Sequence, residues 1–147
     1  MHLRSQSGPL WHRHLPLLVL ISVLPFLPSS VAFAFDHSEW GSLLKSHVDH
    51  GRVDYKGFAN DRGQLDFYLD RIAKIPIDLF AEYDRETRIA LWINAYNASA
   101  IRLILDHYPI DSPNDIPNFL DEKVVHIAGM KYSLREVREN VFRKSFR

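Results

Sequence analysis

The chain of 147 residues contains no cysteine. That excludes disulfides within the chain, a thiol nucleophile, a thiolate-held zinc and a lipid-bearing cysteine. It also lacks any uninterrupted apolar stretch of the roughly 20 residues that a membrane-spanning helix needs. The best candidate, Leu15 to Leu27, is too short and is interrupted by Pro16 and Pro25, with Pro28 just beyond. No run or stripe of Lys and Arg occurs, which argues against nucleic acid or an anionic membrane as partner.

What the first 34 residues do contain is an export pattern. Arg4 and Arg13 precede the apolar run, and Ala32 and Ala34 stand at the two small-residue positions of a cleavage site. Cleavage after Ala34 is expected, giving an exported, periplasmic or secreted protein that starts at Phe35 with no stable membrane anchor. Residues 35 to 147 then carry 16 Lys/Arg against 18 Asp/Glu, a formal charge of −2. This length suits one small domain with a single core.

The core is expected to form around one helix, Asp84 to Tyr108, which is apolar over most of its circumference and so belongs inside a protein. Asp84 suits the N-cap, Glu86 complements the positive end of the dipole, and Pro109 forbids continuation. At 100° per residue, Arg88, Ala95, Ser99, Arg102 and Asp106 form the one strip suited to water. Ile89, Trp92, Tyr96 and Leu103 lie opposite. Asn97 falls within the apolar arc and Asn94 at its edge, so these amides are expected either to tie neighbouring segments to the helix or to face a ligand.

Ahead of it, Trp40, Leu43, Leu44 and Val48 fall at helical spacing after Asp36 or Ser38 as cap. His47, Asp49 and His50 resemble a metal set, but Gly51 breaks the helix at once, and the reading is a solvated polar corner with no metal or cofactor. Gly51 to Gly57 reads as a short strand with Val53 and Tyr55 inward. Asp61 and Gln64 suggest a capping box for a helix with Leu65, Tyr68, Leu69 and Ile72 on its inner stripe, ended before Pro76. Asp78 to Tyr83 reads as a connector or short helical turn.

After Tyr108, a proline-rich loop is expected to pack through Ile110, Ile116, Phe119 and Leu120. Lys123 to Tyr132 reads as a hairpin around Ala128-Gly129, with His126 on the face opposite Val125 and Ile127. Ser133 and Glu136 form a capping box for a last helix from Leu134 to about Lys144. The fold class is therefore α+β and predominantly helical: a long buried central helix packed by shorter helices, a short strand and a β-hairpin.

The segments Gly51 to Tyr55, Trp92-x-Asn94-x-Tyr96-Asn97, Tyr108-Pro109, Ile127 to Gly129 and Ser133-Leu134 resemble the family called domain of unknown function 547, over about Trp40 to Arg147. The resemblance implies no established reaction. It implies that family members continue past the equivalent of Arg147 into a segment bearing a histidine and two cysteines, so this chain corresponds to the N-terminal half of such a domain. Arg138 departs from the family, which usually carries glutamate there. An incomplete domain is expected to leave apolar surface uncovered, and residues 35 to 147 alone to fold poorly or self-associate.

Three functional readings follow. The first is a non-catalytic exported module, intact or truncated, with Trp92, Asn94, Tyr96, Asn97 and His126 as structural or ligand-contact residues. In the second, the chain is part of a hydrolase-type enzyme whose cysteine and histidine site lies in an absent C-terminal half, which makes catalysis by this chain alone unexpected. The third is a protein-interaction module. No catalytic residue is assigned; Ser99, on the strip expected to be wet, is placed away from His126, Asn94 and Asn97.

Overall fold

A computed structural model describes residues 34–143. The cationic start, the apolar run and Ala32 of the export pattern lie outside the described residues, as do residues 144–147.

Among the described residues, six α-helices and two antiparallel hairpins build the fold. Helix α1, Ser38–His47, runs into β1, Val48–Asp49, which pairs with β2, Arg52–Val53. His50 and Gly51 join them with φ of 46° and 79°, the pair of left-handed residues that a two-residue hairpin turn requires. The strand expected across Gly51 to Gly57 therefore stops at Val53. Tyr55 opens helix α2, Tyr55–Asn60, instead, because Asp54 caps it by accepting from the Gly57 N–H at 3.0 Å.

Helix α3, Arg62–Ala73, follows at once. Asp61 sits at its N-cap position without capping it; its carboxylate Oδ2 is taken by His47 Nε2 at 2.6 Å, so the expected capping box gives way to a tertiary bond. Pro76 then becomes the N-cap of α4, Ile77–Glu82, which makes the expected connector helical.

Helix α5, Arg85–His107, is the long central element, with Asp84 accepting from the Thr87 N–H at 2.7 Å. That bond holds the Asp84 carboxyl below the usual carboxylate range. Beyond it the proline-rich segment packs through buried Ile116 and half-buried Ile110, Phe119 and Leu120, and includes one capped 3₁₀ turn at Pro113–Asp115. Strands β3, Val125–Ile127, and β4, Met130–Tyr132, form the expected hairpin, again turned on two left-handed residues, Ala128 and Gly129. Ser133 and Glu136 close the expected capping box of α6, Leu134–Val137, which continues as a π-type turn through Phe142.

The core lies between α1, α3 and α5, with β3 and α6 closing its far side. Trp40 stacks on Tyr68 with ring centres 5.7 Å apart, and Phe58, Leu65, Ile72 and Leu91 are fully buried around them. Trp92 packs edge-on against Phe80 and Tyr132. No helix among the described residues is long and apolar enough to cross a membrane.

The orientation of α5 overturns the expected wet strip. It does so at two positions, Ala95, 0% exposed, and Ser99, 1% exposed, on the side of α5 that meets α3 and β3, whereas Arg102 and Asp106 of the same strip are exposed as expected. Conversely, Asn97 is exposed, Ile93 is 36% exposed and Asn94 is half-buried. Neither amide makes a side-chain hydrogen bond among the described residues, so they do not tie segments to the helix as expected. Small side chains at 95, 98 and 99 let another element approach the helix axis closely, and helix packing distance is set by the side chains at the contact.

Candidate functional site: an acid-lined cleft between α3, α5 and the approach to β3

Two charged ladders bring the walls of the cleft together. Arg62, Asp66 and Asp70 recur every fourth residue on α3, and Arg102 and Asp106 do so on α5, so each helix presents a charged stripe along one face. Across the gap the signs alternate. Arg62 bonds Asp106 and lies 3.5 Å from Asp66, while Arg102 Nε lies 3.3 Å from Asp66 and 3.6 Å from Asp106. Its bond to Asp106 holds the Arg62 guanidinium even more firmly protonated than usual. All four side chains are a third or more exposed, so this ring of ion pairs aligns the helices more than it stabilises them.

Beneath the ring is an open cavity of about 330 Å³, at the small end of ligand pockets, which run from about 300 to 1,000 Å³. Leu69, Ala73, Leu103 and Val124 provide its apolar lining. Asp66, Asp70, Asp106 and Glu122 supply carboxylates, against Arg102 and Lys123 as cations. Lys123 is turned away: its Nζ lies 2.6 and 2.7 Å from the two Glu136 carboxylate oxygens, and this pairing keeps the Glu136 carboxyl below the usual range.

Ser99 and His126 complete the lining. The Ser99 hydroxyl is buried and has no hydrogen-bond partner among the described residues. Asp66 Oδ1 is also buried, and its contact with Arg102 Nε has ion-pair distance without hydrogen-bond alignment. His126 Nε2 lies 3.1 Å from the Lys123 carbonyl, an acceptor-only group. The bond places the proton on Nε2 and leaves Nδ1 as an acceptor in the neutral ring.

Of the five residues singled out from sequence, the cleft receives one, His126. Trp92 is 8% exposed within the aromatic cluster, and Tyr96 packs edge-on to Phe142 at 5.5 Å. Asn94 and Asn97 lie on the outward side of α5. Sequence reasoning missed Ser99, and it missed that the two ladders pair with each other. The signal was present in the four-residue recurrence of complementary charges at 62, 66 and 70 and at 102 and 106. In the His47–Asp49–His50 corner, His47 turns to Asp61 and His50 to Asp49, both contacts of ion-pair distance and the second fully solvated. Among the described residues no three His, Asp or Glu side chains converge as a metal centre requires.

The architecture is that of a predominantly helical α+β domain with a small polar cleft on its central helix. Residues 80–147 match the family described as "Protein of unknown function, DUF547". The chain thus resembles that family from α4 onward, through the Trp92-x-Asn94-x-Tyr96-Asn97 segment, while the stretch from Trp40 to residue 79 lies outside the match. Searches of curated proteins and of solved structures returned no match.

Proposed function

We propose that this chain is an exported, non-catalytic module that binds a small polar ligand in the α3–α5 cleft. The observation that carries the reading is the Ser99 hydroxyl: buried, lining the cleft and unpartnered. Leaving a buried polar group unsatisfied costs about 1–3 kcal/mol, so each such group calls for an explanation. Of the four such atoms among the described residues, Asp66 Oδ1 and Ser99 Oγ belong to cleft residues, and His37 Nε2 and Trp40 Nε1 to the packing around Tyr68. Export is supported by Arg4 and Arg13 before the apolar run and by Ala32 and Ala34 after it. A shift-mapping screen of the full chain with small polar compounds tests the binding reading. Perturbations should converge on Ser99, Asp70, Glu122 and His126; convergence on the outward residues Ile93 and Asn97 would contradict it.

A second reading, self-association, has one observation in its favour: exposed Ile93 sits beside half-buried Ile89 and Ala90 on the outward side of α5. Sedimentation over a range of concentrations decides it. A mass that rises with concentration and falls back in Ile93→Lys supports the reading, and a constant monomer mass rejects it.

A further inference from the structure

We propose that the ligand of the α3–α5 cleft is a primary alkylammonium, an inference that rests on the binding reading above and adds the chemical class. Charge bookkeeping within the cleft points this way. Four carboxylates line it; Asp66 and Asp106 are held by Arg102 and by Arg62, and the cleft's other cation, Lys123, is bound to Glu136. Asp70 has only the exposed Lys74 at 2.6 Å, and Glu122 has no ion-pair partner among the described residues. A site that held an anion would need an uncommitted cation, and Arg102 and Lys123 are both committed.

Other ligand classes fit less well. A sugar ring is ordinarily held on an aromatic face, and no Phe, Tyr or Trp lines this cleft. Alkyl carbons, by contrast, find Leu69, Ala73, Leu103 and Val124. An ammonium group carries three N–H donors and no acceptor. The carboxylates of Asp70 and Glu122, the Ser99 oxygen and the free His126 Nδ1 can all accept from it. Binding would therefore satisfy the one hydroxyl in the cleft that the protein leaves unpaired.

The probe is 1,4-diaminobutane, titrated into the full chain at low ionic strength and followed by amide shifts, with tetramethylammonium, acetate and a neutral four-carbon diol as comparisons. Saturable shifts at Ser99, Asp70, Glu122 and His126 are expected for the diamine. Affinity should fall at least about tenfold in Ser99→Ala and in Asp70→Asn/Glu122→Gln, the equivalent of about 1.4 kcal/mol. Tetramethylammonium, with the charge but no N–H, should bind no better than Ser99→Ala binds the diamine. Linear, unsaturable shifts scattered over surface carboxylates would overturn the inference. If acetate or the diol saturates the cleft and the diamine does not, the ammonium assignment fails while the binding reading stands. If none of the four perturbs the cleft, both fail.

Discussion

The Tyr68 hydroxyl and His37 Nδ1 lie 2.7 Å apart, joining the first residues of the folded body to the middle of α3. His37 is pulled below its ordinary value chiefly by burial; Asp36 opposes this and Arg71 adds to it. Burial likewise pushes the Tyr68 phenol up, so the pair stays neutral across the physiological range. The unfolded chain takes up the His37 proton first as pH falls, so its contribution is complete above about pH 6.5 and declines as pH drops from there towards the folded value. Denaturant melts between about pH 7 and 5 should show stability falling, with a shallower fall in His37→Gln. Equal slopes in the two proteins would contradict this.

Gly57 admits no side chain. A Cβ there would collide with the His47 imidazole and come within 2.6 Å of Asp54 Oδ2. Neither neighbour is free to swing away: His47 is bonded to Asp61, and Asp54 caps α2 through the Gly57 N–H. Gly57→Ala should gain roughly 1 kcal/mol of helix propensity, and overpacking should cost about 1–3 kcal/mol. The net expectation is a lower melting temperature, whereas Gly63→Ala, with open space around its Cβ position, should raise it. A rise in both would show that the α1–α2 contact is looser than described.

The amides and the tryptophan of the W-x-N-x-Y-N segment should separate cleanly. Asn97→Ala, on an exposed position without side-chain hydrogen bonds, should change stability by no more than about 0.5 kcal/mol. Trp92→Ala, which empties the space between Phe80 and Tyr132, should cost about 3–5 kcal/mol. A large loss in Asn97→Ala would restore the buried-amide reading.

Much of the fold was legible because the signals were local. Asp84 before a long apolar-periodic run, Ser133 with Glu136, and Ala128-Gly129 between alternating residues each name their own structure within a few positions. The errors came where a distant group won. Asp61 was read as a cap, but His47, fourteen residues earlier, takes its carboxylate. The orientation of α5 was read from hydrophobicity, yet polarity does not say whether a charged residue meets water or a partner. Arg102 and Asp106 meet both water and their partners Arg62 and Asp66, while Ala95 and Ser99 of the same strip are buried. The same reading turned Ser99 outward and Asn97 inward, whereas Ser99 is buried and Asn97 exposed.

Processing is open to direct measurement. Mass spectrometry of the protein recovered from its host should find an N-terminus at Phe35, as expected from Ala32 and Ala34. An intact Met1 terminus in a membrane-bound product would reject cleavage and favour an anchored form.

The account stands or falls on Ser99. If its hydroxyl is kept for a ligand, it does nothing for the fold, and Ser99→Ala removes an unsatisfied buried group while adding a better helix former. Thermal melts of the ligand-free protein should then place Ser99→Ala level with the parent or above it, by up to about 1–3 kcal/mol. A melting temperature several degrees below the parent would show that the hydroxyl has a structural partner, and would remove the observation on which the cleft is read as a binding site.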